Sequence, residues 1–357
     1  MRPDARPGRG APENRTPTRF NLPEREADGD WLDEREALDD GPRPLRTTVT
    51  VEHPKTIITR NRSPDIGFDR SINAYRGCEH GCIYCFARPS HAFHDLSPGL
   101  DFESKLFAKP DAARLLRAEL GKKGYQVRPI AMGTNTDPYQ PIEAKWRITR
   151  SVLEVLAETR HPATITTKSD RVLADLDLLS EMARLNLVSV ALSVTSLEPK
   201  ISRTLEPRAP AARKRLAAVK RLSEAGVPAW VAIAPVVPGI TDHELEHIVE
   251  AAAEAGAIGC FYLPVRLPHE VAPLFRAWLD EHYPERAAKV MHIINDMRGG
   301  KDNDPHWFSR MRGQGAWADL LKARFERAMR RHGLNVEKRP LRRDLFEPPQ
   351  GTQMRLL

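Results

Sequence analysis

The stretch CEHGCIYC, residues 78–85, places three of the four cysteines of this 357-residue chain within eight residues. Three residues separate the first pair and two separate the second, while Cys260 lies far away in the apolar run GCFYLPV. Disulfide frameworks spread an even number of cysteines through a short secreted chain, so this arrangement favours metal or cluster chemistry instead. We expect Cys260 to be a small buried side chain and the ligands to be Cys78, Cys82 and Cys85.

Two kinds of site are compatible with three clustered thiols. A cubane iron–sulfur cluster normally takes four thiolates, so three would hold three irons and leave the fourth iron open to a small chelating ligand. Gly77 and Gly81 permit the tight turns that such a loop needs. Alternatively, the loop could form a structural zinc site with one further ligand, although the sequence has no second Cys-x-x-Cys; the candidates are His80, His91, His94 and Cys260.

Outward from the loop, apolar runs alternate with helical patterns between Ile72 and Pro268. The runs lack polar alternation, which is typical of parallel strands buried on both faces. The pattern predicts an α/β fold with an incomplete parallel (β/α)6 barrel. A doubly wound open sheet stays possible, because periodicity does not order strands. The six predicted strands are SINAYR, VRPIAMGT, ATITTKS, VSVALSVTS, PAWVAIAPVV and AIGCFYLPV.

The composition divides the chain into four parts. Residues 1–45 are rich in proline and charge and predict a disordered leader. Residues 46–270 are predicted to form the partial barrel, including the loop at 78–85. Residues 271–335 carry helical patterns, such as VAPLFRAWLDEHY and WADLLKARFERAMRRHG, and predict a helical C-terminal extension. Residues 336–357 predict a basic, irregular tail.

Several stretches together resemble one protein family. With an aromatic residue before its last cysteine, the loop resembles the signature of the radical SAM superfamily. The wider resemblance is to an uncharacterised bacterial branch related to spore photoproduct lyase, and it covers roughly residues 55–320. It is carried by TRNRSPDIGFDRSINAYRGCEHGCIYCFARPSHAF (59–93), MGTNTDPYQPIE (132–143), TTKS (166–169) and VSVALSVTSLEPKISRTLEPRAP (188–210).

This resemblance implies a radical SAM barrel and two cofactors. The three loop cysteines would ligate a 4Fe-4S cluster, and S-adenosyl-L-methionine would chelate its open iron. Reductive cleavage would then yield a 5'-deoxyadenosyl radical that abstracts hydrogen from an unidentified substrate. The cofactors supply this chemistry, while the protein orients them and excludes water and oxygen. An electron donor such as flavodoxin or ferredoxin is a further implied partner.

The resemblance also implies cofactor-binding positions at the ends of the barrel strands. Tyr84 would contact the adenine, and the turn after the second strand would contact the methionine amino group. Lys168 would pair with the methionine carboxylate, because a compact cation suits a partly dry site. Each position also has an ordinary structural interpretation: a solvated turn, a surface lysine or a buried serine. The other positions are Thr134, Asn135, Thr136, Asp137, Ser193 and Arg208.

The resemblance has one clear departure. Spore photoproduct lyase uses a cysteine hydrogen donor downstream of its cluster loop, but this chain has no cysteine between Cys85 and Cys260. Unless Cys260, Tyr139 or Tyr262 substitutes for it, the DNA-repair activity does not transfer. The substrate, the reaction class and the catalytic residues are therefore left open.

The net charge of +7 lies at the C-terminal end, where the last sixty residues hold fourteen Lys and Arg against seven Asp and Glu. Such a segment can neutralise phosphates, so nucleic acid is a possible partner, either for a repair or modification enzyme or for a zinc-stabilised binding protein. A solvated helix face with a basic tail is the simpler interpretation. The aromatic residues there have the spacing of a helical core; they are Trp307, Phe308, Trp317, Phe325 and Phe346.

No apolar stretch approaches the length of roughly 18 residues that a membrane span needs, and the first residues contain no apolar signal core. We therefore expect a cytoplasmic protein without a membrane partner.

Overall fold

Six parallel strands, lying side by side in chain order, form the centre of the fold. The computed structural model describes residues 8–17, 45–335 and 339–349. An antiparallel strand, β2, borders the first of the six. From one edge to the other, the sheet contains β2 (Ile58–Arg60), β3 (Arg70–Ile72), β6 (Ile130–Met132), β7 (Ala163–Thr167), β8 (Val188–Ser193), β9 (Ala229–Val236) and β10 (Gly259–Pro264).

This strand order argues against the doubly wound sheet, one of the two architectures that the sequence allows. A doubly wound sheet needs a point at which the strand order reverses, and no reversal occurs among the described strands. All six predicted strands are present and parallel, so the predicted α/β class is confirmed. The sheet is not closed, since β2 and β10 are its two edges. The barrel form itself stays a prediction.

The first predicted strand, SINAYR, is divided between two sheets. Its first half forms β3, and its second half forms β4 (Tyr75–Arg76) in a small sheet with β1 (Thr48–Val51) and β5 (Lys105–Ala108). At the break, Lys109 Nζ donates to Asn73 O at 3.0 Å. The chain therefore leaves the main sheet just before the cysteine loop, which lies between the two sheets.

Helices follow the strands because their apolar residues recur at intervals of three and four, as in the helix over 148–158, which buries Ile148, Val152 and Leu156. Among the described residues, 3-10 helices span Arg88–His94, Asp170–Asp175 and Asp242–Glu244. The α-helices are α1 (Leu100–Ser104), α2 (Ala112–Leu120), α3 (Glu143–Trp146), α4 (Ile148–Glu158), α5 (Leu176–Arg184), α6 (Pro199–Leu205), α7 (Ala212–Glu224), α8 (Leu245–Glu254), α9 (Val271–His282), α10 (Pro284–Asp296), α11 (Ser309–Arg312) and α12 (Gly315–Arg331).

Helices α9 and α10 cover the carboxyl ends of β9 and β10. Their buried faces form a second hydrophobic core with Val237 and Val265, which follow those strands. Trp278 is fully buried in it and donates its indole N–H to Thr204 O at 3.0 Å. This core also contains Tyr84 from the cysteine loop. The ends of β6, β7 and β8 are therefore left to line a cavity.

The predicted leader and tail are described only in part. Residues 8–17, predicted to be disordered, instead lie against the cysteine loop because buried polar groups bind their backbone. Of the tail, residues 339–349 lie near the amino-terminal ends of the strands, where Phe346 packs against Tyr125 and His161. Residues 1–7, 18–44, 336–338 and 350–357 lie outside the described part of the chain. Within that part, no helix has the length and apolarity to cross a bilayer.

An ion pair connects the two edges of the open sheet. The guanidinium of Arg310 in α11 donates to both carboxylate oxygens of Asp65, in the β2–β3 connection, at 2.7 and 2.6 Å. The Asp65 side chain is 2% exposed and also accepts the Phe308 amide at 3.0 Å. At the other edge, Arg298 joins α11 to the end of β10 by donating to Arg310 O and Val265 O.

We expect Arg310→Met to lower the free energy of unfolding by about 1–3 kcal/mol, because it leaves a buried carboxylate without its cation. Urea unfolding measures this change. Arg312→Met in the same helix is the matched control, since Arg312 is exposed and should change stability by less than about 0.5 kcal/mol. Equal stabilities of the two variants would show that the ion pair contributes nothing.

Candidate active site

The three loop cysteines lie at the junction of the two sheets. Cys78 and Cys82 are buried, Cys85 is partly exposed, and all three are free thiols. The loop is tightly turned, with the Cys85 amide donating to Cys82 O at 3.2 Å. Gly77 and Gly81 have φ values of +71° and +67°, so both glycines are needed for the turns as the sequence predicts.

A buried arginine, Arg88, holds the loop in this shape. It is fully buried and donates to Cys82 O at 2.9 Å and to Gly81 O at 3.2 Å. The same guanidinium lies 2.5 Å from the carboxylate of Glu103, which is also fully buried. Sequence reasoning missed both residues, because an isolated arginine and an isolated glutamate carry no periodic signal.

The surroundings of the thiols oppose their ionisation. Burial raises the pKa of Cys82 to about 12 and raises that of Cys78 well above the usual thiol value. Thiolate ligation here therefore needs a compensating positive charge, which a bound metal centre supplies. The loop is therefore better suited to bind a cationic metal centre than to present a free nucleophilic cysteine.

The spacing of the ligand atoms distinguishes the two kinds of site. Tetrahedral zinc with Zn–S bonds of about 2.3 Å holds its sulfurs about 3.8 Å apart. In the described part of the chain, no loop cysteine belongs to a trio of His, Cys, Asp or Glu ligand atoms lying within 4.8 Å of one another. A cubane cluster binds each thiolate to a different iron and so keeps the thiolates farther apart. The geometry therefore fits the cluster better than zinc.

The other candidate zinc ligands have different partners. His91 donates from Nε2 to Lys105 O at 2.9 Å, and His94 packs against the Phe107 ring. His80 Nδ1 lies 3.3 Å from Asp137 Oδ2. Cys260 is 5% exposed in the core cluster that contains β10, as its apolar neighbours predict.

A cavity opens in front of the cysteines at the carboxyl ends of β6, β7 and β8. Most of the residues that the sequence proposes for cofactor binding line it together with the cysteines. They are Thr134, Asn135, Thr136, Asp137, Lys168 and Ser193. Phe86, which follows the last cysteine, lines it as well and is 54% exposed.

The turn after β6 is connected to the cysteine loop. Thr136 Oγ1 donates to Gly77 O at 2.6 Å, and Gln140 Nε2 donates to the same oxygen at 3.2 Å. Gln140 Oε1 in turn accepts the Glu79 amide at 3.0 Å. Gln140 is fully buried, and sequence reasoning did not identify it. This turn therefore supports the loop in addition to lining the cavity.

Asp137 has its carboxylate occupied by the protein. It accepts hydrogen bonds from Thr167 Oγ1 at 2.6 Å, the Lys168 amide at 2.7 Å and the Tyr139 amide at 2.9 Å. Burial alone would raise the pKa of Asp137, but His80 and these donors lower it to about 2. Asp137 therefore fixes the ends of β6 and β7 relative to each other.

Lys168 lines the cavity beside Cys82, and Tyr84 is buried next to Lys168 without lining the cavity itself. Lys168 Nζ lies 5.7 Å from the centroid of the Tyr84 ring. Burial opposes a charge on Lys168, but the Cys82 sulfur, when ionised as a ligand, and the Glu206 carboxylate raise the Lys168 pKa above the usual lysine value. Lys168 is therefore a protonated cation at the cavity wall.

Behind Tyr84 lies a buried carboxylate that sequence reasoning also missed. The Tyr84 hydroxyl and Arg215 both donate to Glu206, and Thr195 Oγ1 donates to it at 2.6 Å. Glu206 and Arg215 are each 1% exposed. Only the position of Glu206 within the LEPRAP run could have drawn attention to it.

Two of the predicted cofactor positions, Tyr84 and Arg208, do not line the cavity. The Arg208 guanidinium donates to Glu79 Oε1 at 3.2 Å. The side chains considered as hydrogen donors are also elsewhere, since Tyr139 donates to Asp175 at 2.9 Å and Tyr262 packs against Phe325. Neither tyrosine nor Cys260 lines the cavity.

Comparison with known proteins identifies the class to which this site belongs. Residues 72–252, half of the chain, match the model of the radical SAM superfamily. The chain therefore belongs to this superfamily and is a radical SAM enzyme.

The relatives in sequence are themselves uncharacterised. A protein of Mycobacterium tuberculosis (strain ATCC 25618 / H37Rv) is 36% identical over 228 residues, which cover 63% of this chain and 67% of the relative. A protein of Methanocaldococcus jannaschii is 29% identical over 214 residues, covering 60% of this chain and 76% of the relative.

In structure, the chain is similar to spore photoproduct lyase complexed with a dinucleoside spore photoproduct. The TM-score is 0.56 at 15% sequence identity, and the match covers 80% of this chain and 79% of that one. The similarity to this lyase that the sequence predicts is therefore confirmed at the level of the fold.

Proposed function

We propose that Cys78, Cys82 and Cys85 hold a 4Fe-4S cluster and that the adjoining cavity binds S-adenosylmethionine. The observation that carries the proposal is the placement of three free thiols, two of them buried, at a cavity lined by the ends of three parallel strands in a radical SAM enzyme. When bound, the cluster would supply one electron to S-adenosylmethionine, releasing methionine and a 5'-deoxyadenosyl radical that takes hydrogen from a substrate.

The chain's own residues would bind and orient these groups. Lys168 is positioned to pair with the methionine carboxylate, since it is a cation at the cavity wall. Ser193 and the turn of residues 134–136 present hydroxyl and amide groups to the same cavity. Tyr84 lies beneath Lys168 and would support the adenine end through its ring. Arg208 would act through Glu79 and not by direct contact.

The substrate is unidentified. Nucleic acid is a candidate substrate, which would make the protein a nucleic-acid repair or modification enzyme. Two observations favour it: the related fold binds a dinucleoside photoproduct, and exposed arginines lie along α12 and the tail. Trp317 and Phe325 are partly buried and contact Asp242 and Tyr262, whereas Trp307 and Phe308 are 59% and 54% exposed. Two exposed aromatic rings near Arg310 and Arg312 could stack on unpaired bases.

Reconstitution tests the proposed function directly. The protein is loaded anaerobically with iron and sulfide, reduced with dithionite and mixed with S-adenosylmethionine, and 5'-deoxyadenosine is quantified by chromatography. An electron donor such as flavodoxin or ferredoxin can replace dithionite. We expect cofactor cleavage by the native chain and none above background by Cys82→Ala, which removes one thiolate ligand.

The controls separate the possible outcomes. Cys260→Ala removes a thiol that lies outside the cavity and should retain cleavage. Two results would contradict the proposal that the loop holds an iron–sulfur cluster. One is loss of cleavage in both variants, and the other is a protein that contains one zinc ion and no sulfide per chain. If a structured or damaged nucleic acid stimulates cofactor cleavage, nucleic acid is supported as the substrate. If no nucleic acid tested changes the rate of cleavage, that substrate class is excluded.

A further inference from the structure

We propose that residues 8–15, GRGAPENR, are a positioning part of the cluster site, which we call the N-terminal strap. The strap would hold the cysteine loop closed on the side away from the cavity. This inference rests on the proposed function, because it concerns retention of the cluster. Nothing in the composition of this stretch indicates such a role, since the prolines and charges of residues 1–45 as a whole predict disorder.

The backbones of the strap and of the cysteine loop approach each other closely at Gly10 and Gly81. A Cβ atom on Gly10 would lie 1.6 Å from Gly81 O and 2.8 Å from Gly81 C, both main-chain atoms of the cysteine loop. No other residue type fits at position 10 without displacing that loop. The next residue, Ala11, is 2% exposed and belongs to the core cluster that contains Cys82 and Tyr84.

A buried carboxylate, that of Glu103, connects the strap to the cysteine loop. Glu103 is fully buried and accepts the Gly10 amide at 2.9 Å and the Ala11 amide at 2.8 Å. Its remaining partner is Arg88, which donates to two carbonyls of the cysteine loop. A buried charge must be fully hydrogen-bonded, so loss of the two strap amides would weaken the anchor of Arg88.

The strap is fixed on either side of these two amides. Arg9 donates to Glu103 O at 2.7 Å and to Leu45 O at 2.6 Å. Further along, Asn14 Oδ1 accepts the Asp101 amide at 3.0 Å, and the Arg15 amide donates to Ser97 Oγ at 2.8 Å. The eight residues of the strap are therefore hydrogen-bonded at several points to the segments that surround the loop. This is typical of a specific structural interface and not of incidental packing.

The experiment compares Gly10→Ala with Gly67→Ala in the full-length protein. A Cβ atom on Gly67 would have no other atom within 4 Å, and Gly67 lies outside the left-handed region of φ, so this variant is the matched control. In cluster-free protein, the alkylation rate of Cys82 by iodoacetamide is followed by mass spectrometry. The buried core thiol Cys260 is read in the same sample and reports global unfolding.

We expect Cys82 in Gly10→Ala to react roughly tenfold faster than in the native chain, with Cys260 unchanged, because buried hydrogen bonds to the strap are lost. After anaerobic reconstitution, the same variant should lose its iron–sulfur absorbance in air several times faster. Equal Cys82 rates in both variants would overturn the inference. So would parallel acceleration of Cys82 and Cys260, since the strap would then only stabilise the fold.

The inference and the proposed function fail in different ways. If the native chain takes up no cluster, the proposed function is wrong and the strap has no cluster to retain. If the native chain holds a cluster and Gly10→Ala holds it equally well in air, only the strap is wrong.

Discussion

Replacing Glu206 with leucine is expected to lower the free energy of unfolding by about 3–5 kcal/mol, which is the range for removing one partner of a buried ion pair. Glu206 and Arg215 are each 1% exposed, and the Glu206 carboxylate also accepts hydrogen bonds from Tyr84 and Thr195. Without it, the Arg215 guanidinium keeps its carbonyl partners Ser193 O and Pro210 O but has no counter-charge. Urea unfolding of the cluster-free protein measures the change.

A double-mutant cycle identifies the cause of this loss. Glu206→Leu combined with Arg215→Met should recover much of the lost stability, because no unpaired charge then remains buried. Failure of the second substitution to restore any stability would show that packing, and not charge, is responsible.

The pH dependence gives a second measurement on the same pair. Burial would raise the pKa of Glu206, but Arg215 and Lys168 lower it to about 2, below the value of 4.5 for an unperturbed glutamate. The stabilisation is therefore complete above pH 4.5 and lost as the pH falls toward 2. Glu206→Gln should show a weaker loss of stability over this interval.

The sequence predicts the fold well where apolar periodicity is strong. The six parallel strands follow from runs such as VSVALSVTS, in which all six residues of β8 are buried. Apolar periodicity indicates which residues of a strand are buried, but it does not indicate which strand lies beside it. The order of the strands in the sheet was therefore known only from the structure. Periodicity also could not show that the chain changes sheets at Asn73, because that break depends on hydrogen bonds that Asn73 accepts from Lys109 Nζ and from the Asn135 amide in the turn after β6.

For the site, the sequence identifies residues whose type and spacing are unusual. Three closely spaced cysteines are rare in any sequence, and Lys168 is recognisable as a charged residue at the end of an apolar run. Arg88, Glu103, Glu206 and Arg215 do not, since charged residues are common and their burial arises from partners distant in sequence. The strap was missed for a related reason: its contacts with Glu103 are made largely by backbone amides, about which side-chain composition says little.

Lys168→Met is expected to weaken binding of S-adenosylmethionine to the cluster-loaded protein by about 10- to 100-fold, since a charge-assisted hydrogen bond contributes about 1.5–3 kcal/mol. Lys168 lines the cavity beside the cysteines, and Glu206 lies close enough to raise its pKa. Equilibrium dialysis with labelled cofactor, without reductant, measures affinity separately from cleavage.

Two further variants make this prediction specific. Lys168→Arg keeps the charge but not the compact ammonium, so it should bind with intermediate affinity. Lys200→Met removes an exposed lysine at the start of α6 and should bind like the native chain. Native affinity in Lys168→Met would mean that Lys168 serves only as a buried counter-charge to Glu206, and the methionine carboxylate would then require another cation.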